Sequence, residues 1–159
     1  MDDNALRTLV AQGLQALKAG GEVAQRATSE IQNDATDPGL KDALRQGEQT
    51  SKEWASRIEA AIGEAGGSED QGNPILKAHY EVSRRIRAQA ADAASRDLGI
   101  VASGQLALHY WIAAFGTLRT YAARLGMTEV ERNMQSSLDE AKAADQGHTD
   151  VAERIMAAG

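Results

Sequence analysis

Asp145 and His148 lie three residues apart near the end of the chain, the spacing at which a carboxylate and an imidazole share one face of a helix. Glu140 precedes them, and His109 stands on an earlier segment. Carboxylate and imidazole groups are ligands for iron or manganese, which react with oxygen or peroxide. Because two ligands alone bind such metals weakly, we interpret Asp145 and His148 as hydrogen-bonded groups or groups reached by water. A metal site that also uses Glu140 and His109 is the alternative.

The residues needed for several other chemistries are missing from this sequence. The 159-residue chain has no cysteine, which excludes thiolate catalysis, disulfides and cysteine zinc sites. The three histidines are scattered and indicate no Ser-His-Asp triad. A formal net charge of −6 argues against binding to nucleic acid, which needs clustered positive charge. No uninterrupted apolar run of about 18 residues predicts a membrane span, and no secretory leader is recognisable, so we expect a cytoplasmic protein.

The composition predicts an all-α protein. Alanine, the best helix former, is the most frequent residue, whereas the helix-breaking proline occurs only as Pro38 and Pro74. Aromatic residues make up 4% of the chain and runs of β-branched residues are absent, so strands have little material.

Apolar residues recur at helical spacing in five segments, which predict a single domain over 1–159. We expect a helical hairpin over 5–66, a linking helix over 74–98 and a second hairpin over 100–157. Short turns make neighbouring helices antiparallel, so the two hairpins form a four-helix bundle. The first helix is expected to be continuous over 5–33, with a break at Gly20-Gly21 as the alternative.

Cap residues predict where three of the helices begin. Asp37-Pro38 and Asn73-Pro74 each combine an N-cap side chain with a proline at the first helical position. Thr128, followed by Glu131, fits a capping box for the last helix. The basic run Arg84-Arg85-x-Arg87 is interpreted as a solvated helix face, and His79 as a packed residue.

Several segments resemble one known family. These are 108–119 (LHYWIAAFGTLR), 138–145 (LDEAKAAD), 35–41 (ATDPGLK) and 57–59 (RIE). Together they resemble the YciE/YciF-type ferritin-like proteins. The resemblance implies a ferritin-like four-helix bundle with an added helix, a bacterial stress-associated role and a dimer. It also implies a di-metal site of inward-facing carboxylates and histidines.

The metal site is where this sequence departs from the family pattern. The ligand positions fall on residues that are mostly apolar or lack a side chain: Gly21, Gly47, Thr50, Leu108, Trp111 and Ala141. Only Glu140 and Asp145 persist. We therefore expect no metal cofactor, and we expect the Trp111 indole to fill the space next to Gly20, Gly21 and Gly47.

The resulting hypothesis is a non-enzymatic, stress-associated ferritin-like protein whose di-metal site is degenerate. It would act through its surfaces, as a homodimer or with a protein partner that no motif identifies. One alternative is an iron or manganese oxidoreductase acting on peroxide or oxygen. Another is a small-molecule binder that uses the void beside Gly20, Gly21 and Gly47, if Trp111 leaves that void open.

Overall fold

The computed structural model describes residues 2–158, which form five α-helices and no strand. The helices are α1 (Asp3–Asp34), α2 (Pro38–Ala65), α3 (Pro74–Gln89), α4 (Ala93–Arg124) and α5 (Thr128–Ala158). Four of them close a bundle in which α1 contacts α2 and α4, and α5 completes the ring between α2 and α4. Helix α3 packs outside the ring against α1 and α4. The predicted all-α four-helix bundle with one added helix is therefore confirmed.

Helix α1 is continuous through its glycine pair, as expected from the unbroken apolar phase. The two glycines have different surroundings. A Cβ atom added at Gly20 would lie 2.7 Å from the Asn73 side chain and 3.4 Å from Trp111 Cη2, whereas one added at Gly21 would meet nothing within 4 Å. Gly20 is therefore required by close packing, and Gly21 is not.

Both proline-linked caps are confirmed. The Asp37 side chain accepts a hydrogen bond from the Leu40 N–H at 2.8 Å, and the Asn73 side chain accepts one from the Leu76 N–H at 3.0 Å. Asn73 also donates to the Tyr110 hydroxyl at 2.8 Å, so the cap of α3 ties this helix to α4.

The turn between α1 and α2 is held by a buried carboxylate of α4. Asp97, only 2% exposed, accepts hydrogen bonds from the Thr36 N–H, the Thr36 hydroxyl and the Asp37 N–H at 2.9, 2.6 and 2.7 Å. A carboxylate with three donors is compensated for its loss of water. This contact fixes the turn to the start of α4.

The boundary between the third and fourth helices differs from the expected one. Helix α3 ends at Gln89 rather than near 98, and α4 begins at Ala93 rather than at 100. The cause is a capping box, in which the Asp92 side chain accepts from the Ser95 N–H while the Ser95 hydroxyl interacts with the Asp92 N–H. Alanines flank this turn on both sides and continue the helical apolar pattern, so the pattern alone did not predict the boundary.

The start of α5 also differs, because its helix begins at Thr128 itself. The N–H of Val130 is bound at 2.8 Å by the Glu64 carboxylate of α2. A side chain from a neighbouring helix therefore satisfies the helix end, and the local capping box of Thr128 and Glu131 was wrong.

Arg87 corrects the interpretation of the basic run as a solvated face. Its side chain is only 4% exposed and pairs with Asp34 at 2.7 Å and Glu30 at 3.1 Å, both on α1. It also donates to the Ser83 hydroxyl at 2.8 Å. Arg84 does stay on the surface, so only part of the run is solvated.

Helix α4 is long and apolar enough to cross a membrane by length and composition alone. In the bundle it contacts α1, α3 and α5 and carries Trp111 and Phe115 into the core. About a third of its most apolar stretch, 33%, is buried inside the bundle.

The buried apolar residues form two clusters rather than one. The larger cluster includes Trp54, Trp111 and Phe115, and the smaller one includes Ile31, Leu40, Ile100, Val101 and Val151. Tyr80 of α3 packs against both. The region between the clusters is where the candidate site lies.

Candidate functional site

Two tryptophans, Trp54 and Trp111, border the site region, and Phe115 packs behind them. The ring centroids of Trp54 and Trp111 are 5.7 Å apart, and Phe115 lies 5.1 Å from Trp54 and 5.5 Å from Trp111. Trp111 is 5% exposed and Phe115 is fully buried. Aromatic pairs at these separations stabilise a core beyond the area that they bury.

The structure places the predicted ligand positions at different depths. Trp111 and Ala141 are buried, as expected, and Leu108 is half-buried against the larger cluster. Thr50 is also half-buried, but Gly47 is exposed, and a Cβ added there would meet nothing within 4 Å. The expectation that Trp111 fills the space at Gly21 and Gly47 was therefore wrong, because the indole reaches only Gly20.

The carboxylate of Glu140 is fully engaged by two residues of α2. Arg57 donates to both of its oxygens, at 2.6 and 2.9 Å, and the Trp54 indole N–H donates to it at 2.8 Å. These contacts hold the pKa of Glu140 below its usual range, the Arg57 hydrogen bonds having the largest effect. The Arg57 guanidinium therefore supplies a positive charge beside Glu140, the carboxylate that is retained from the ligand set of the family.

This pairing predicts that acid weakens the fold. Since the pKa of Glu140 is lower in the folded state, its contribution is present above the unfolded pKa of about 4.3 and is lost as the pH falls through the folded pKa. We expect Glu140→Gln to lower the free energy of unfolding at pH 7 by about 1 kcal/mol and to flatten its decline below pH 5. Urea denaturation at pH 7 and pH 3 measures both effects. The exposed Glu153→Gln is the matched control, and an equally steep acid decline in Glu140→Gln would contradict the pairing.

Asp145 and His148 do not face each other as a ligand pair. Asp145 Oδ2 lies 3.2 Å from Nε2 of His109, whose side chain is 65% exposed. His148 Nδ1 instead lies 2.9 Å from the carbonyl oxygen of Ala144, within its own helix. The structure therefore brings Asp145 together with His109 and leaves His148 apart from both.

These residues do not fit a di-iron or di-manganese centre. Glu140 and His148 are eight residues apart on α5, a rise of about 12 Å along the helix. Within residues 2–158, no group of three or more His, Asp or Glu side chains is arranged to hold a metal ion. Two hard cations need several anionic oxygens, and here one of the few carboxylates is already paired with Arg57.

A hollow of about 370 Å³ occupies the space between the two clusters. Residues of all four bundle helices line the hollow, together with Tyr80 and Ser83 of α3. Its apolar walls include Trp54, Trp111 and Ile100. It opens between α2 and α5, at the exposed Gly47 and Ala143. Many of its lining residues have little or no side chain: Ala43, Gly47, Gly104, Ala107, Ala143, Ala144 and Gly147. Small residues on three helices therefore leave the bundle partly unfilled.

Several polar side chains line the hollow, among them Tyr80, Thr50, Ser103 and His148. His148 uses Nδ1 for the Ala144 carbonyl, and its Nε2 lies against Gly104, where an added Cβ would come within 2.7 Å of it. Burial raises the pKa of Tyr80 to about 12, so its hydroxyl keeps its proton. Nearby on α3, burial lowers the pKa of His79, which is half-buried and does not line the hollow.

Sequence reasoning missed three features of this region. Arg57 was quoted only for its resemblance to a family segment, although it determines the state of Glu140. Neither Tyr80, which lines the hollow, nor Gly104, which makes room for the His148 ring, was predicted as a site residue. A signal existed for the hollow, since glycines recur at 47, 104 and 147 on three different helices.

A comparison with known proteins finds one curated relative by its sequence. The protein YciF of Escherichia coli (strain K12) is 40% identical over 57 residues, which are 36% of this chain and 34% of that protein. The alignment thus spans about a third of that curated relative.

Three solved structures share the fold. The E. coli stress protein YciF aligns with a TM-score of 0.89 at 20% identity, covering 95% of this chain and 96% of that chain. YcfI from Rhodopseudomonas palustris gives 0.86 at 23% identity, covering 91% and 92%. A protein from Xanthomonas campestris pv. campestris gives 0.76 at 18% identity, covering 96% and 95%. These identities establish a common fold and nothing finer.

The resemblance noted in the sequence is confirmed at the level of the family. A family model described as "Domain of unknown function (DUF892)" matches residues 5–159. Since this match spans nearly the whole chain, and YciF shares both sequence and fold with it, the protein belongs to the DUF892 family.

Proposed function

We propose that this protein is a non-enzymatic, stress-associated member of its family that has lost the di-metal site and acts through its surfaces. The stress association rests on the relative YciF, which is described as a stress protein. The observation that carries the loss of the metal site is the state of Glu140, whose two oxygens are bound by Arg57 and Trp54. A metal ion would have to displace a guanidinium to reach this carboxylate. We further propose that the protein is cytoplasmic and binds neither nucleic acid nor membranes.

The surrounding positions support the same proposal. Trp111 and Leu108 present apolar side chains where a bundle metal site needs carboxylates, and Ala141 presents only a methyl group. A divalent ion in this setting would be left without enough anionic oxygens to replace its water ligands.

Titration with Mn(II) tests this proposal. We expect isothermal titration calorimetry at pH 7 to give no saturable heat, and Glu140→Gln to give the same trace as the wild-type protein. Asp139→Asn, at an exposed carboxylate one residue earlier, is the matched control. Saturable binding that disappears in Glu140→Gln but persists in the control would refute the loss of the site.

The oxidoreductase alternative needs Glu140, Asp145 and His148 to hold one or two metal ions, with His109 as a further ligand. The structure brings only Asp145 and His109 together, at 3.2 Å. Glu140 is paired with Arg57, and His148 bonds to the Ala144 carbonyl.

We propose that the protein forms a homodimer through the outer face of α3 and the adjoining side of α4. Ile75, Val82 and Ile86 lie at positions 0, 7 and 11 of one helical stripe on α3, and all three are exposed. Leu106 of α4 is 66% exposed, and Ile86 packs beside Gly99 on the same helix. Exposed apolar side chains gathered on one face are typical of a protein–protein contact.

The dimer proposal is tested by solution mass. We expect multi-angle light scattering to give twice the chain mass of 16.9 kDa for the wild-type protein. The double variant Ile75→Glu/Leu106→Glu should be monomeric, because it places charges on both helices of the proposed face. Leu9→Glu, at an exposed leucine on α1, is the control and should remain dimeric. A monomeric wild-type protein would contradict the proposal.

A further inference from the structure

The hollow is not accounted for by a protein that acts only through its surfaces. Cavities between bundle helices are common places for ligands, and binding sites typically measure about 300–1,000 Å³. At about 370 Å³, the hollow is more than twice the roughly 150 Å³ of an apolar cavity that takes up benzene. Its size therefore suits a molecule of about two rings.

The walls of the hollow select against charged molecules. Glu140 is neutralised by Arg57, and Glu48 is paired with Lys52 at 3.4 Å and accepts from Gln32 at 3.1 Å. No unpaired cation lines the hollow in the described part of the chain. A charged ligand would lose its water without gaining a partner, so a neutral ligand is favoured.

The aromatic walls favour a flat ligand with a π-system. Trp54 and Trp111 both line the hollow, with their ring planes inclined at 51°. A flat ring can contact both in edge-to-face or offset arrangements, which add to the apolar area that is buried.

The Tyr80 hydroxyl defines one further feature of the ligand, because Tyr80 lines the hollow. This hydroxyl is protonated and can donate a hydrogen bond. A hydroxyl group on the ligand can accept that bond.

We propose that the hollow binds a neutral, two-ring aromatic molecule that carries one hydroxyl group. The rings contact Trp54 and Trp111, and the hydroxyl group accepts a hydrogen bond from Tyr80. Glu140 also lines the hollow, but it stays paired with Arg57 and does not hold the ligand.

The probe for this proposal is 2-naphthol, with naphthalene as the analogue that lacks the hydroxyl group. Trp54 and Trp111 are the only tryptophans in the chain, so two indole N–H signals in a ¹H–¹⁵N spectrum report directly on the hollow. We expect 2-naphthol to shift both signals saturably and naphthalene to bind more weakly. Tyr80→Phe should reduce the affinity for 2-naphthol about fivefold and leave that for naphthalene unchanged. Absence of a saturable shift in the wild-type protein would overturn the proposal.

A matched pair of glycine substitutions tests whether 2-naphthol binds in the hollow or elsewhere on the protein. Gly47→Leu should place a side chain at the mouth and reduce binding of 2-naphthol at least tenfold. Gly63→Leu, at an exposed glycine of the same helix with nothing within 4 Å of an added Cβ, should bind as the wild-type protein does. Ala143→Leu, across the mouth on α5, obstructs the hollow independently if Gly47→Leu perturbs α2. Undiminished binding in both obstructing variants would show that the probe lies elsewhere and would refute the site.

Discussion

Replacing Trp111 by alanine is expected to lower the free energy of unfolding by about 3 to 5 kcal/mol, the usual loss for a buried tryptophan. The indole is 5% exposed and contacts Trp54 and Phe115, so its removal takes away aromatic contacts as well as buried area. Trp111 also lines the hollow, so its truncation enlarges a space that is already unfilled.

Urea denaturation followed by far-ultraviolet circular dichroism measures this loss. Leu9→Ala on α1 is the control, since Leu9 is 50% exposed, lies outside the proposed dimer face, and its truncation should cost less than about 0.5 kcal/mol. If Trp111→Ala were no more destabilising than Leu9→Ala, the inward assignment of the indole would be wrong.

Replacing Asp97 by alanine is expected to cost about 2 to 4 kcal/mol, because it leaves buried donors without an acceptor. The carboxylate accepts from the Thr36 N–H, the Thr36 hydroxyl and the Asp37 N–H. Asp97→Asn should also be destabilising, since one acceptor oxygen becomes an NH₂ group that faces a donor. Both substitutions remove hydrogen bonds that join the α1–α2 turn to α4, so they weaken the attachment of the first hairpin to that helix.

Thermal and urea unfolding of both variants test this prediction. Asp139→Ala, which removes an exposed carboxylate of α5, should change the stability by less than about 0.5 kcal/mol. Hydrogen exchange at the amides of Thr36 and Asp37 gives a local readout, and protection there should fall in Asp97→Ala. Unchanged protection would mean that the turn is held by other contacts.

The fold was predictable because its signals are local. Asp37-Pro38 and Asn73-Pro74 begin helices through contacts within three residues of the cap, so the chain alone identifies them. The apolar phase of α1 likewise continues through Gly20-Gly21, and the helix is continuous. Long helices with strong periodicity need little information from elsewhere in the molecule.

The parts that could not be predicted depend on contacts between distant residues. The start of α5 is satisfied by Glu64 from another helix, and Arg87 is buried by acidic residues that lie more than 50 positions away. Gly47 illustrates the same limit for the site. Its match to a ligand position of the family predicted packing against Trp111, but only the spacing of the helices shows that the space beside it is empty.

The metal-site proposal depends on a residue that the family pattern did not single out. The sequence showed that apolar residues replace the ligands at 108, 111 and 141, which predicts a weaker site. That Glu140 is also bound by Arg57 follows from the packing of α2 against α5 and was not visible in the chain.

Iron content after loading is the measurement that tests the central claim most directly. The purified protein is incubated with excess Fe(II) without oxygen, desalted, analysed for iron, and then exposed to air while its near-ultraviolet and visible absorbance is recorded. We predict that little iron stays with the chain and that no oxo-iron absorbance develops. Near-stoichiometric iron that is lost in Glu140→Gln, or a new absorbance band on exposure to air, would contradict the account and restore a working metal centre to this bundle.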